Sequence, residues 1–243
     1  MRTLRLAGLA MIIFAAAAGS CAGPQAQPPS EVPLLTSEAE TIPPADASEL
    51  FPLEQRTMTF RVTEGDEQGQ EVTYQLRPEG DHWVLSAEGR GKTFFRQNEQ
   101  GDIVIFREDN VAEQVSVRYD PGITMLPAQV RPGETWEGES QMVVMHLDKD
   151  KVRDQGTVNY RLDLTARGSV EAPARQYRGA YLVASHRDID LNLADAKVAI
   201  FSAYVPGTGQ VAERVEQQRK VLGMFGSQSV EQMERAEPTQ ATQ

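Results

Sequence analysis

Through the middle of the chain, apolar and polar residues alternate. Met58, Phe60 and Val62 interleave with Thr57, Thr59, Arg61 and Thr63, and Val72, Tyr74 and Leu76 interleave with Thr73, Gln75 and Arg77. A period of two describes strands with one buried face. Turn-forming residues separate the runs: Glu64–Gly69, Pro78–Asp81 and Gly89-Arg90-Gly91. Further strands are predicted at Trp83–Glu88, Thr93–Gln97, Ile103–Arg107 and Val115–Tyr119. Connections this short force antiparallel neighbours. Longer runs follow at Thr135–Leu147, Thr157–Ala166, Arg178–Leu193, Lys197–Val205 and Val211–Val221, with polar turns at Asp148–Gly156 and Asn192–Ala196. A strand of ~12 residues is ~40 Å long, and such strands twist and coil. Ile103–Phe106 and Val198–Phe201 are apolar at consecutive positions, which predicts cover on both faces. The expected fold is all-β: a large, strongly curved antiparallel sheet or half-barrel, or two packed layers. No amphipathic helical period persists beyond two or three turns.

The flanks differ. Arg2 and Arg5 precede an apolar run, Leu6–Ala18, and then small residues Gly19 and Ser20. That order is an export signal, too short to span a bilayer. Ala18-Gly19-Ser20-Cys21 resembles the lipobox of bacterial lipoproteins, in which cleavage leaves a lipid-modified cysteine. The alternative, plain secretory cleavage, leaves Cys21 as a lone thiol in an oxidising compartment. The lipobox resemblance implies an extracytoplasmic, membrane-anchored protein, and Ala22 in place of Asp points to the outer membrane if the organism is diderm. The boundaries expected are a signal peptide over 1–20, a lipidated Cys21 with a disordered Pro-rich linker over 21–49, one antiparallel β domain over 50–225, and a disordered polar tail over 226–243. Pro24, Pro28, Pro29, Pro33, Pro43 and Pro44 interrupt the linker. As a flexible coil of ~28 residues its ends would lie ~30 Å apart.

Charge narrows the partners. The 243 residues carry 24 Lys+Arg against 35 Asp+Glu, a formal net charge of −11. Losing Arg2 and Arg5 with the signal takes this to −13. Such a surface repels phosphate backbones, so nucleic acid is excluded as a partner. It also repels anionic headgroups, which leaves the lipid anchor as the attachment to the membrane. No second apolar run approaches ~20 residues.

Chemistry is sparse. On a strand His186, Asp188 and Asp190 share one face, opposite Arg187, Ile189 and Leu191. They form either a candidate divalent-metal set or an exposed polar face. Asp148-Lys149-Asp150 with Asp154 lacks the Gly and closing Glu of a calcium loop and reads as a charged turn. There is no Gly-x-Ser-x-Gly elbow, no Ser-x-x-Lys and no cysteine besides Cys21. Gly207-Thr208-Gly209 precedes a strand and lacks the rest of a phosphate-binding fingerprint. No enzyme activity and no cofactor are expected. Met58, Trp83, Phe94, Met142 and Met145 are candidates to line an apolar pocket, or to form ordinary core.

Several segments are familiar in their order: Phe51-Pro52-Leu53, Pro132-Gly133-Glu134-Thr135-Trp136, Pro173-Ala174 with Tyr177–Val183, and Ala203–Val211 containing Tyr204-Val205-Pro206-Gly207-Thr208-Gly209. The set resembles uncharacterised bacterial envelope lipoproteins with an all-β domain. Their sheet is similar in outline to the half-barrel of lipoprotein carriers, which implies binding of a hydrophobic small molecule or another envelope component. The alternatives are a protein-interaction or structural module that docks a partner on a sheet edge and, last, a metal-dependent hydrolase.

Overall fold

A computed structural model describes residues 34–38, 41–221, 225–236 and 240–241. In chain order the elements are β1 (Ser37–Glu38), β2 (Ala45–Asp46), α1 (Ala47–Leu50), β3 (Arg56–Glu64), β4 (Glu71–Glu79), β5 (His82–Ala87), β6 (Gly91–Gln97), β7 (Ile103–Asn110) and β8 (Val115–Leu126). They continue as β9 (Gln129–Val130), β10 (Thr135–His146), β11 (Val152–Ala172), β12 (Arg175–Leu191), β13 (Ala194–Val205), β14 (Gly209–Val221), β15 (Phe225–Arg235) and β16 (Gln240–Ala241).

The fold is all-β, and the sheet closes on itself. From β11 it runs through β10, β8, β7, β6, β5, β4, β3, β15, β14 and β13 to β12, and β12 pairs back onto β11. The result is a 12-strand antiparallel barrel, not a half-barrel. The strand missing from the sequence expectation is β15. It lies where a disordered tail was expected, and it joins β14 to β3. Without it the sheet would end in two open edges. Gly226–Ser229 is polar, and over Gly226–Glu231 the strand is held by its ladder to β14 more than by a buried face, while Gln232–Arg235 pair with β3 as well.

Inward positions build the core and outward positions are polar. On β4, Val72, Tyr74 and Leu76 are buried while Glu71, Thr73, Gln75 and Arg77 are exposed. A membrane-spanning barrel has the reverse pattern, with an apolar band outside. Among the described residues no helix is long and apolar enough to cross a membrane. The doubly covered run expected at Ile103–Phe106 is present: Ile103 and Ile105 face the core, and Phe106 packs outside with His82 and Phe94.

One rim is capped. Residues 41–49, expected to be linker, are folded together with Leu50: β2 pairs β9, and α1 buries Ala47 and Leu50. Phe51 follows into the barrel and meets Phe95 at 5.4 Å and Tyr204 at 6.5 Å. β1 pairs β11 at Gly168 and Ser169. Cys21 and the signal peptide lie outside the described residues. At the same rim β11 and β12 run to 21 and 17 residues. Their tip passes the ends of β13 and β14, and the Ala174 N–H donates to the Arg235 carbonyl on β15 (3.0 Å). Ala166, Val170, Tyr177, Ala180, Leu182, Ala203, Val211 and Ala212 form a second small core in this overhanging part.

The wall is interrupted between β8 and β10, and the ladder between β3 and β15 is short, covering only Gln232–Arg235 of β15. The β8–β10 ladder runs from Val115/His146 to Asp120/Gln141 and stops. Beyond it Pro121–Leu126 turn their other edge to β7, and Thr135–Ser140 pair only with β11. Pro121 has no N–H with which to continue the ladder. Ser140 Oγ donates to the Pro121 carbonyl at 2.5 Å, and Tyr160 Oη reaches across from β11 to Thr124 Oγ1 at 3.3 Å.

Candidate functional site

Inside the barrel the apolar lining is interrupted by a polar chamber. Glu108 on β7 and Arg187 on β12 face each other across it, 1% and 3% exposed. Arg187 Nη1 stands 3.7 Å from Glu108 Oε2, an ion pair too long for a hydrogen bond. Tyr119 on β8 donates to the same oxygen at 2.6 Å. On β14, Glu213 Oε2 accepts from Gln210 Nε2 at 2.7 Å and from Ser202 Oγ at 3.2 Å. Ser185, Tyr204, Phe51 and Phe95 complete the walls. Burial pushes the Glu108 carboxyl above its ordinary range, against the opposing effects of Arg187 and the Tyr119 hydrogen bond. Burial, with the Glu108 charge beside it, pushes the Tyr119 phenol well up. Burial does the same to Tyr204.

The chamber has about 40 Å³ of free volume. That is room for about one water, against the ~300 Å³ or more of a small-molecule pocket. Four polar atoms directed at it have no protein hydrogen bond: Arg187 Nε and Nη1, Glu108 Oε1 and Ser185 Oγ. Buried groups of this kind are satisfied by internal water. The arrangement can hold a water-sized polar molecule. It has no histidine among its lining residues.

The residues singled out by sequence fall elsewhere. Met58 and Met142 are fully buried core, and Trp83 packs partly buried against them. Phe94 and Met145 lie on the other side of the wall, so these five residues do not line one pocket. Plain alternation is the cause: Phe94 neighbours the inward Phe95 on β6, and Met145 stands three residues from the inward Met142 on β10. Phe95 meets Phe51 inside while Phe94 meets His82 (5.8 Å) and Phe106 (6.1 Å) outside. Arg107 lies over the Phe94 ring at 4.6 Å.

His186, Asp188 and Asp190 do share the outer face of β12, exposed, as the alternation predicts. They do not converge. Asp188 pairs with Lys197 at 3.1 Å, and His186 packs edge-on against Phe201. Among the described residues no group of three His, Cys, Asp or Glu is placed to hold a metal. Asp154 is a hairpin brace, accepting from the Leu193 N–H (3.2 Å) and Asn192 Nδ2 (3.3 Å).

Sequence reasoning missed Glu108 and Arg187 as a pair. Half of the signal was visible, because the alternation sets Arg187 on the face of Ile189 and Leu191. A cation in a core-facing register is an anomaly. Its partner was not visible, since Glu108 lies past the bulge between Ile105 and Arg107 that resets the alternation of β7. Comparison with protein-family models, with curated proteins and with solved structures found no match.

Proposed function

We propose that this protein is a lipid-anchored, extracytoplasmic envelope component with a non-catalytic role, docking an extended, basic segment of a partner protein at the interrupted β8–β10 seam. The observation that carries the proposal is the seam itself. Pro121–Leu126 and Thr135–Ser140 each leave one edge outside the ladder between them, although both strands continue past the point where it stops. Edges of this kind are templates for an added strand. Charge argues for a basic occupant: Glu134, Glu137 and Glu139 are exposed along this part of β10 and its approach, on a chain of net charge −11. The chamber's 40 Å³ does not admit an acyl chain, which favours docking over carriage of a hydrophobic ligand there.

Photo-crosslinking in the native envelope tests the proposal. A benzoylphenylalanine at Glu137 is expected to give discrete protein adducts, and one at Gln75 on the far wall is expected to give none. Equal patterns from both positions would remove the seam from consideration. In the same cells Cys21→Ser should move the protein from the membrane to the soluble fraction. If it stays in the membrane, the anchor is wrong whatever the crosslinks show.

A further inference from the structure

The capped rim holds a second buried charge cluster. Arg56, at the start of β3, is 2% exposed, and Arg235, at the end of β15, is fully buried. Both reach the turn between β13 and β14. Arg56 Nη1 donates to the Thr208 carbonyl at 3.3 Å, and Arg235 Nη2 lies 3.5 Å from the same oxygen. Gly209 makes room for them, since a β-carbon there would come 2.7 Å from Arg56 Nη1. Their planes rest on aromatic rings, Arg56 over Phe51 at 5.3 Å and Arg235 over Phe60 at 5.0 Å.

Other arginines of this barrel show what the Arg56 guanidinium lacks. Arg107 grips Asp109 through Nε and Nη2, both at 2.8 Å. Arg161 grips Asp163 with the same two nitrogens at 2.9 and 3.1 Å. Buried Arg90 meets Glu67 and Glu231. The Nε and Nη2 hydrogens point out of one edge of the guanidinium in parallel, which is why that edge takes a carboxylate or phosphate two oxygens at a time. In Arg56 these are the two nitrogens without a hydrogen-bond partner. No ion pair joins Arg56 to a carboxylate among the described residues, and Glu54 acts on it only at a distance. Burial, with Arg235 next to it, pushes the Arg56 guanidinium down to about 10. A desolvated cation with its bidentate edge unfilled is costly, and an anion on that edge offsets the cost.

We propose that the Nε/Nη2 edge of Arg56 receives a small phosphate-type oxyanion at the capped rim of the barrel, with Arg235 beside it adding positive charge. The tip of the β11–β12 hairpin lies beside this rim, tied to β15 through the Ala174–Arg235 hydrogen bond. Free phosphate and the phosphate of a lipid headgroup share this chemistry. The site is independent of the β8–β10 seam, so either can fail without the other.

Nitrogen-15 NMR of the arginine Nε–H groups in the full chain tests the site, titrating with sodium phosphate at constant ionic strength and, separately, with a short-chain phosphatidylglycerol below its micelle concentration. The Arg56 resonance is expected to shift saturably, while that of Arg161, whose edge Asp163 already fills, stays in place. A response to phosphate identifies a free anion as sufficient. A response to the lipid alone identifies a headgroup. Melting temperature gives a second readout: a saturable rise in the natural chain, weakened at least about tenfold in apparent affinity in Arg56→Met, and kept in Arg61→Met. Equal rises in Arg56→Met and the natural chain, or an Arg56 resonance that ignores both titrants, overturn the proposal.

Discussion

The chamber residues set a charge pair inside a barrel whose other lining is largely apolar, and the magnitudes decide what that does. A buried pair is weak evidence for stability, because desolvation cancels most of the attraction, but stranding one partner is severe. Arg187→Met leaves Glu108 without its counter-charge and is expected to cost about 3–5 kcal/mol in urea unfolding. Adding Glu108→Gln should return most of that loss. A double variant as unstable as the single would show that the two side chains are not coupled. The pH dependence has a definite sign. The folded-state pKa of Glu108 lies above the ordinary 4.5, so the folded protein binds this proton more tightly than the unfolded chain does. Its contribution therefore improves as pH falls through the raised value and levels off near 4.5. The stability of Glu108→Gln relative to the natural chain should accordingly shrink on acidification across that window. A gap that widens instead would place the Glu108 pKa on the wrong side.

At the level of elements, the seam replaces lost ladder bonds with side chains, Ser140 at its start and Tyr160 further along. Gly138 on β10 pairs with Tyr160 on β11, and a β-carbon at Gly138 would lie 2.5 Å from Tyr160 Cζ. Glycine is required there so that the phenol can cross β10 and donate to Thr124 on β8. Gly138→Ala is expected to displace the ring and cost about 1–3 kcal/mol. In a Tyr160→Ala background the same substitution should cost almost nothing, because the clash is gone. Additive losses in chemical denaturation would mean that Tyr160 is not the obstacle. The alternation that exposes β3 and β4 in the sequence cannot reveal this seam, which depends on where one ladder stops. The sequence expectation ended a strand at Tyr119, whereas β8 continues to Leu126. Phe94 and Met145 were misplaced for a plainer reason: each stands an odd number of residues from an inward side chain of its own strand, Phe95 and Met142, so alternation itself sets it outside. What was legible follows from repetition: the inward Val72, Tyr74 and Leu76, the outward His186, Asp188 and Asp190, and the all-β class. Convergence of Glu108 with Arg187, or of Arg56 with Arg235, joins residues 79 and 179 positions apart in sequence, and no local period encodes it.

For the molecule as a whole, closure rests on the strand with the least apolar sequence. Over Gly226–Arg235, β15 buries Met233 and Arg235 and little else, yet the strand pairs with β14 over ten residues and hands the sheet on to β3. Remove it and two long edges, β14 and β3, face water with unpaired backbone groups, while the core side chains of both lose their neighbour. Ending the chain at residue 224 should therefore open the barrel: near-UV circular dichroism lost, and light scattering showing species larger than those of the full chain. Ending it at residue 236 keeps every pairing of β15 and loses only the two-residue β16, so it should keep the signal and size of the full chain. The two truncations separate a closing strand from a dispensable extension. If the 224 form retained native near-UV signal and size, the remaining eleven strands would suffice as an open sheet, and the rigidity that holds the seam and the arginine rim in place would have to come from the packed core alone.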